Sequence, residues 1–313
     1  MTSTVKTIVA GVATLHDADP VLLPAIELAR ALGARLELVH AFDLPDPWLA
    51  EALAEDDVAA PEFAARHTAG LQARLDSLTR ELAADVGAVS GRAVPGVASG
   101  VLCEVAAAVQ ADLLLVGATR RGTMSRNILG TTAERVIRGA HAPVLVLREP
   151  LRRPLRRALL TTDLSEFSAR VHEQALDTLE ALFGPELPEV RDLLVVAYDV
   201  ALPPPLRQEL LEGVAEQELH AFLAARRVRP YAVQPQVRVG EPAKEIVAEA
   251  FDWSADLLVM GTHGRTGFSR MMLGSVAGAS VRSALCNVLV LPGAALVEGH
   301  APRGSTGPRP ASR

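Results

Sequence analysis

The sequence predicts an α/β protein made of two tandem domains, each a parallel sheet with helices on both faces. Three observations carry this. Short apolar runs alternate with stretches of helical periodicity along the whole chain; that alternation implies parallel strands joined by right-handed crossovers. The second half repeats the first at one constant offset: Asp112-Leu113-Leu114-Leu115-Val116-Gly117 matches Asp256-Leu257-Leu258-Val259-Met260-Gly261, and Ala142-Pro143-Val144-Leu145-Val146-Leu147 matches Cys286-Asn287-Val288-Leu289-Val290-Leu291. The period is too long for a solenoid, so whole domains are repeated. In both copies an apolar run ends in a loop that leads to a helix start.

Composition sets the bounds. A chain of 313 residues suits two domains. Hydrophobic residues make up 49% and aromatics 4%, so the cores are mostly Leu, Val and Ala. The net charge of -6 argues against a general polyanion binder. No apolar run reaches the ~18 residues needed to span a bilayer, and the N-terminus carries no signal-peptide pattern. Two cysteines far apart, Cys103 and Cys286, exclude a disulfide framework. They are expected to be small buried hydrophobes in a reducing cytoplasm.

The first domain, residues 1–149, opens with a strand over 7–10. A helix follows over 20–32, with Leu22, Ile26 and Ala29 on one face and Gly33 as its stop. A second strand covers 36–41, and 45–61 is an irregular acidic excursion. Leu71, Leu75, Leu78 and Leu82 mark a long amphipathic helix. A weaker strand lies at 91–95, a helix at 101–110, and strands at 113–116 and 144–147. The linker over 148–157, with two prolines and five arginines, is expected to be extended and solvated. No stacking aromatics accompany those arginines, which argues against nucleic acid.

The second domain, residues 155–293, repeats the order. Strands are expected at 158–162, 193–197, 233–239, 256–259 and 288–291. Helices are expected at 165–183, 206–226, 243–253 and 276–285. Residues 294–313 are Gly, Pro, Ser and Arg, the composition of a disordered tail. The fifth strands, Val-Leu-Val-Leu in both halves, would aggregate as bare edges; they can instead pair antiparallel with each other. Asn287 stands where the first domain has Pro143, a change expected to loosen that turn.

The most informative stretch runs from Met260 through Gly261, His263, Gly264, Arg265 and Gly274 to Ser275 and Val276. A strand ends in a glycine loop, and the loop ends at a helix start. Backbone N–H groups there, the helix dipole and the Ser275 hydroxyl suit a phosphate. The loop is neither a P-loop nor a GxGxxG fingerprint. At the end of the second domain's first strand, Thr161-Thr162-Asp163 brings a carboxylate to the same crevice. Asp163 can accept from a ribose or adenine, or it can cap the helix in Asp-Leu-Ser-Glu.

The spacing Gly261, two residues, Gly264, nine residues, Gly274-Ser275 resembles the nucleotide-binding motif of the universal stress protein family. The resemblance covers both halves. It implies two Rossmann-like domains of strand order 3-2-1-4-5, with the ligand crevice between strands 1 and 4. It implies ATP, accompanied by Mg²⁺ with few protein ligands. Carried over position by position, the site is Thr161, Thr162, Asp163, Ala197, Met260, Gly261, Gly264, Arg265, Gly274, Ser275 and Val276; His263 is equally an exposed loop residue. In the family the fifth strands form the dimer contact. Here one chain can make it internally as a pseudo-dimer, and the resemblance also allows a homodimer of whole chains.

The halves differ. The first keeps Gly117 and Gly130-Thr131 but has Arg120 at the second glycine position, and Val12 stands where the acid is expected. The first domain is therefore expected to bind nucleotide weakly or not at all. The function these residues suggest is a cytoplasmic regulatory or stress-response protein that binds ATP in its second domain. No catalytic base, Walker lysine or metal-ligand cluster is placed by spacing. Two alternatives stand beside it: a nucleotide-free interaction scaffold, and an adenylating or ATP-hydrolysing enzyme of the same superfamily. The latter needs an SGGxDS-type loop that neither Ala10-Gly11-Val12-Ala13 nor Thr162-Asp163-Leu164-Ser165 provides.

Overall fold

The computed structural model describes residues 5–16, 19–44, 60–118, 129–184, 189–197, 204–226, 232–262 and 273–292. In the first half the strands are β1 (Thr7–Gly11), β2 (Arg35–Phe42), β3 (Val89–Pro95), β4 (Leu113–Gly117) and β5 (Val144–Leu147). The helices there are α1 (Leu22–Leu32), α2 (Ala60–Val86), α3 (Ala98–Ala108) and α4 (Thr131–Gly139). The second half has β6 (Arg157–Thr162), β7 (Glu189–Val196), β8 (Val233–Val239), β9 (Leu257–Gly261) and β10 (Asn287–Leu291). Its helices are α5 (Glu166–Phe183), α6 (Pro204–Ala224), α7 (Pro242–Asp252) and α8 (Ser275–Ser283).

All ten strands form one sheet in the order β3-β2-β1-β4-β5-β10-β9-β6-β7-β8. Each half has the expected 3-2-1-4-5 order. The halves join where β5 and β10 pair antiparallel, Val144 opposite Val290, Leu145 opposite Leu289 and Val146 opposite Val288. Every residue of both strands is buried, so each apolar edge hides the other. One apolar layer, including Leu28, Leu36, Leu145, Leu160, Leu179 and Leu289, runs across both halves beneath α1 and α5. The opposite layer packs under α3, α4, α7 and α8.

Local signals behave as the sequence suggests. Gly33 takes the left-handed conformation (φ 61°) that ends α1, and Ser165 caps α5 by accepting from the Ser168 N–H. Helix α4 occupies the place that the repeat gives α8, although periodicity alone had not marked it. Strand β7 begins at Glu189 rather than near residue 193, because Arg191 and Asp192 interrupt its apolar pattern. Both find partners inside the fold: Arg191 with Glu249 and Asp192 with His172. Cys286 is buried, and burial is the main cause that pushes its thiol up to about 11, which suits an inert packing residue.

The linker is mostly exposed, as expected, but two leucines anchor it to the core. Leu151 and Leu155 are buried in the shared core. The Arg148 guanidinium donates to the Val281 and Arg282 carbonyls at the end of α8. Arg153 lies 5.7 Å over the Phe183 ring, and Arg152 is 3.5 Å from Asp256. Burying the two leucines contributes about 3 kcal/mol or more, so the connection is a strap. Asn287 has a role in the fold that a proline could not take. Its Oδ1 accepts the Arg148 N–H at 2.8 Å and the Glu149 N–H at 3.2 Å, pinning the start of the linker. Asn287→Ala is expected to lower the urea midpoint by an amount worth about 1–3 kcal/mol, with faster proteolysis at the linker.

In the first half Glu37 is wholly buried on β2. Burial alone would raise its carboxyl, but the Ser90 hydroxyl and the Arg35 and Arg92 guanidiniums outweigh it and hold it below the usual carboxylate range. A depressed folded pKa stabilises the fold at neutral pH, and that stability is lost as pH falls through it. Glu37→Gln is expected to flatten the acid limb of a stability–pH curve while lowering stability at neutral pH.

Candidate functional site

Strands β6 and β9 run side by side, Leu160 opposite Val259. Beyond their carboxyl ends the chain diverges: β6 leads through α5 to β7 on one side, and β9 leads through α8 to β10 on the other. This reversal is the place where an open α/β sheet receives a ligand, between Thr161-Thr162-Asp163 and Met260-Gly261-Thr262.

The β9 side is built by backbone. The Thr262 N–H donates to the Leu291 carbonyl at 3.1 Å, and the Gly274 N–H donates to the Thr262 carbonyl at 2.8 Å. The two ends of the glycine loop are thus tied together, and Gly274 becomes the N-cap residue of α8. The first intrahelical bond is Gly278 N–H to Gly274 C=O. The N–H groups of Ser275, Val276 and Ala277 therefore lie ahead of the helix ladder, and Ser275 and Val276 are exposed. The Gly274 N–H is spent on loop closure, so the N–H groups ahead of the helix ladder are those that follow it. Gly274 has φ -55° and ψ 150°, extended backbone that needs no glycine. Gly261 is required for packing. A Cβ there would stand 2.9 Å from Val171 Cγ2 and 3.3 Å from Phe167 Cε1, so its absence lets α5 lie against β9. Met260 is 3% exposed, its side chain in the core, and it pairs with Val290 in the sheet.

The β6 side is built by hydroxyls. The Thr162 and Ser168 hydroxyls bond to each other; Ser168 Oγ accepts the Asp163 N–H, and Thr162 Oγ1 accepts the Leu164 N–H. These bonds hold Leu164 at φ 62°, a left-handed conformation that costs a leucine about 1 kcal/mol. The half-buried Asp163 accepts the Ser165 N–H at 3.0 Å and the Ser165 hydroxyl at 2.6 Å on Oδ1. The cap of α5 is Ser165, so the carboxylate braces the cap rather than being it. Ala197, just past β7, is exposed at the same end of the sheet. Thr161, Thr162, Asp163, Ala197, Met260, Gly261, Gly274, Ser275 and Val276 all lie at the carboxyl ends of these strands. His263, Gly264 and Arg265 lie outside the described residues. Ser168, Leu164 and the Phe167–Val171 face of α5 were not marked by sequence; hydroxyls and leucines on an amphipathic helix look alike whether they pack or position.

The first half repeats the loop closure, with the Ala118 N–H on the Leu147 carbonyl and the Gly130 N–H on the Ala118 carbonyl. Its β1 side differs. Register corrects one comparison: Ala10 pairs with Leu115 as Leu160 pairs with Val259, so three residues on Ala13, not Val12, occupies the place of Asp163. Alanine also lacks an acceptor. The acid in this loop is Asp19, 3% exposed. It takes the Ala13 and Thr14 N–H groups at 2.8 and 2.9 Å on Oδ2 and the Val21 N–H at 2.9 Å on Oδ1. That carboxylate serves its own loop. Arg120 lies outside the described residues.

The fold defines a tandem pair of doubly wound α/β domains joined through their fifth strands. The model of the universal stress protein family matches residues 4–148 and 154–292, and the chain belongs to that family. A universal stress protein of Mycobacterium tuberculosis H37Rv is 30% identical over 194 residues, 58% of this chain and 62% of its own length. One from Methanocaldococcus jannaschii is 33% identical over 144 residues, 44% of this chain and 81% of its own. The match thus spans less than two thirds of the mycobacterial relative. Among solved structures, a protein of unknown function from Pseudomonas aeruginosa PAO1 superposes with TM-score 0.67 at 17% identity, covering 94% of this chain and 95% of its own. A putative universal stress protein from another Pseudomonas aeruginosa strain gives 0.66 at 18% identity, with 94% and 95% covered. These two likenesses speak to fold. Among the described residues no helix is long and apolar enough to cross a membrane.

Proposed function

We propose that the second domain binds ATP, with Mg²⁺ on its phosphates, and that the chain is a cytoplasmic regulatory protein of the stress response. The observation that carries the reading is the exposed start of α8 facing the Asp163 turn across the point where strand order reverses. In this reading the Ser275 and Val276 N–H groups and the Ser275 hydroxyl receive the phosphates, with Gly264 and Arg265 beside them. Thr161, Thr162, Asp163 and Ala197 hold the nucleoside, and Met260 and Gly261 contribute backbone. Phosphate oxygens and water supply most of the Mg²⁺ shell. No residue is assigned a catalytic role. The first domain binds nucleotide weakly or not at all, because its loop amides are already held by Asp19.

The test is to purify the protein, denature it and identify the small molecules released, then titrate ATP into the emptied protein. Released ATP with saturable rebinding supports the reading. An empty protein that takes up no ATP favours the scaffold, and released ADP or AMP with turnover favours an enzyme.

A further inference from the structure

At the opposite, amino ends of the second half's strands a cavity of about 450 Å³ opens beside the linker. Arg152, Arg156, Arg157, Glu189, Ser254 and Asp256 line it. Three arginines thus share the lining with two acidic residues, in a chain whose net charge is -6. The carboxylates are already engaged. Asp256 Oδ2 accepts the Arg156 and Arg157 N–H groups at 2.9 and 3.1 Å, and Arg152 sits 3.5 Å from Oδ1. Glu189 is 3.2 Å from Arg157 Nε, and Arg157 Nη1 also donates to the Trp253 carbonyl at 2.9 Å. Those bonds fix the walls. The Arg156 side chain is exposed and has no carboxylate within ion-pair distance among the described residues. Its neighbours leave a positive excess in a concave space.

We propose that this cavity is a binding site for a small polyphosphate-type oxyanion, with Arg156 and Arg152 as its principal donors. Guanidinium forks match phosphate oxygens in pairs, and several charges on one ligand outcompete chloride or water. The Trp253 ring face is covered by Arg191 at 4.2 Å and Arg157 at 5.8 Å, so it is not open for a base to stack on. That favours an inorganic chain over a nucleotide. The site does not depend on the reading of the crevice at the other end of the sheet.

Calorimetric titration of the full chain with inorganic triphosphate, at constant ionic strength, tests it. In Ser275→Glu, which blocks the nucleotide crevice, one saturable event is expected to remain. It should weaken at least tenfold in Arg156→Glu and by a smaller factor in Arg156→Ala. Because the Arg156 side chain is exposed, both variants should keep the wild-type melting temperature. With Trp48→Phe, the emission of Trp253 should shift along the same isotherm. In the Ser275→Glu background, absence of a saturable event, an event that survives a further Arg156→Glu change, or one that sodium chloride reproduces would each overturn the proposal.

Discussion

Ser275→Glu is expected to weaken ATP binding at least a hundredfold while leaving the melting temperature unchanged or slightly raised. Ser275 is exposed at the first position of α8. A carboxylate there sits among the helix's unpaired N–H groups and gains about 0.3–1 kcal/mol from the positive end of the dipole. It would stand where an incoming phosphate needs to be and repel it. The two effects therefore have opposite signs: a hundredfold weaker Kd is about 2.7 kcal/mol lost from binding, with none lost from folding. Isothermal calorimetry and thermal melting on the same sample check both. Unchanged ATP affinity would remove α8 from the site. Asp163→Asn complements it on the other wall. Asparagine keeps the oxygen that braces Ser165 but drops the charge, so a tenfold loss of affinity without unfolding would assign Asp163 to the nucleoside.

The second large effect is expected in the core. His172 on α5 and Asp192 on β7 are 4% and 0% exposed, with Nε2 3.1 Å from Oδ2. The contact is within ion-pair reach but off the line of a good hydrogen bond. The Phe222 ring meets the imidazole edge-on at 5.8 Å between centroids. A buried pair like this is a weak source of stability, but removing one member strands the other. His172→Leu or Asp192→Leu alone is expected to destabilise the fold by about 3–5 kcal/mol. The double variant should recover most of that loss. The first half supports this directly: register places Leu38, fully buried, where the second half has Asp192. Urea midpoints of the three variants check it, and purely additive losses would show that the two groups do not interact.

Much of the architecture was legible in the sequence. Apolar runs such as Leu113–Val116 and Leu257–Met260 are local signals, and their repetition exposed the tandem domains. The pairing of β5 with β10 followed from two identical bare edges. The candidate cleft was legible as a position, because glycine spacing marks a strand-to-helix turn. What it could not give was which atom meets which. The Gly274 N–H closes its loop, Gly261 makes room for Val171, and Asp163 braces a cap; all three depend on packing across elements. Element bounds failed where charged residues interrupt a strand, as Arg191 and Asp192 do in β7.

Period and composition therefore determined the class, the repeat, the order of elements and the edge that joins the halves, since hydrophobic patterning acts within each segment. Tertiary structure alone decided that two buried leucines anchor the arginine-rich linker, that Asn287 pins it from 139 residues away, that Ala13 occupies the place of Asp163, and that a His–Asp pair lies in the second core. The reason is that a polar side chain's role is set by its partner, and here the partners come from distant parts of the chain.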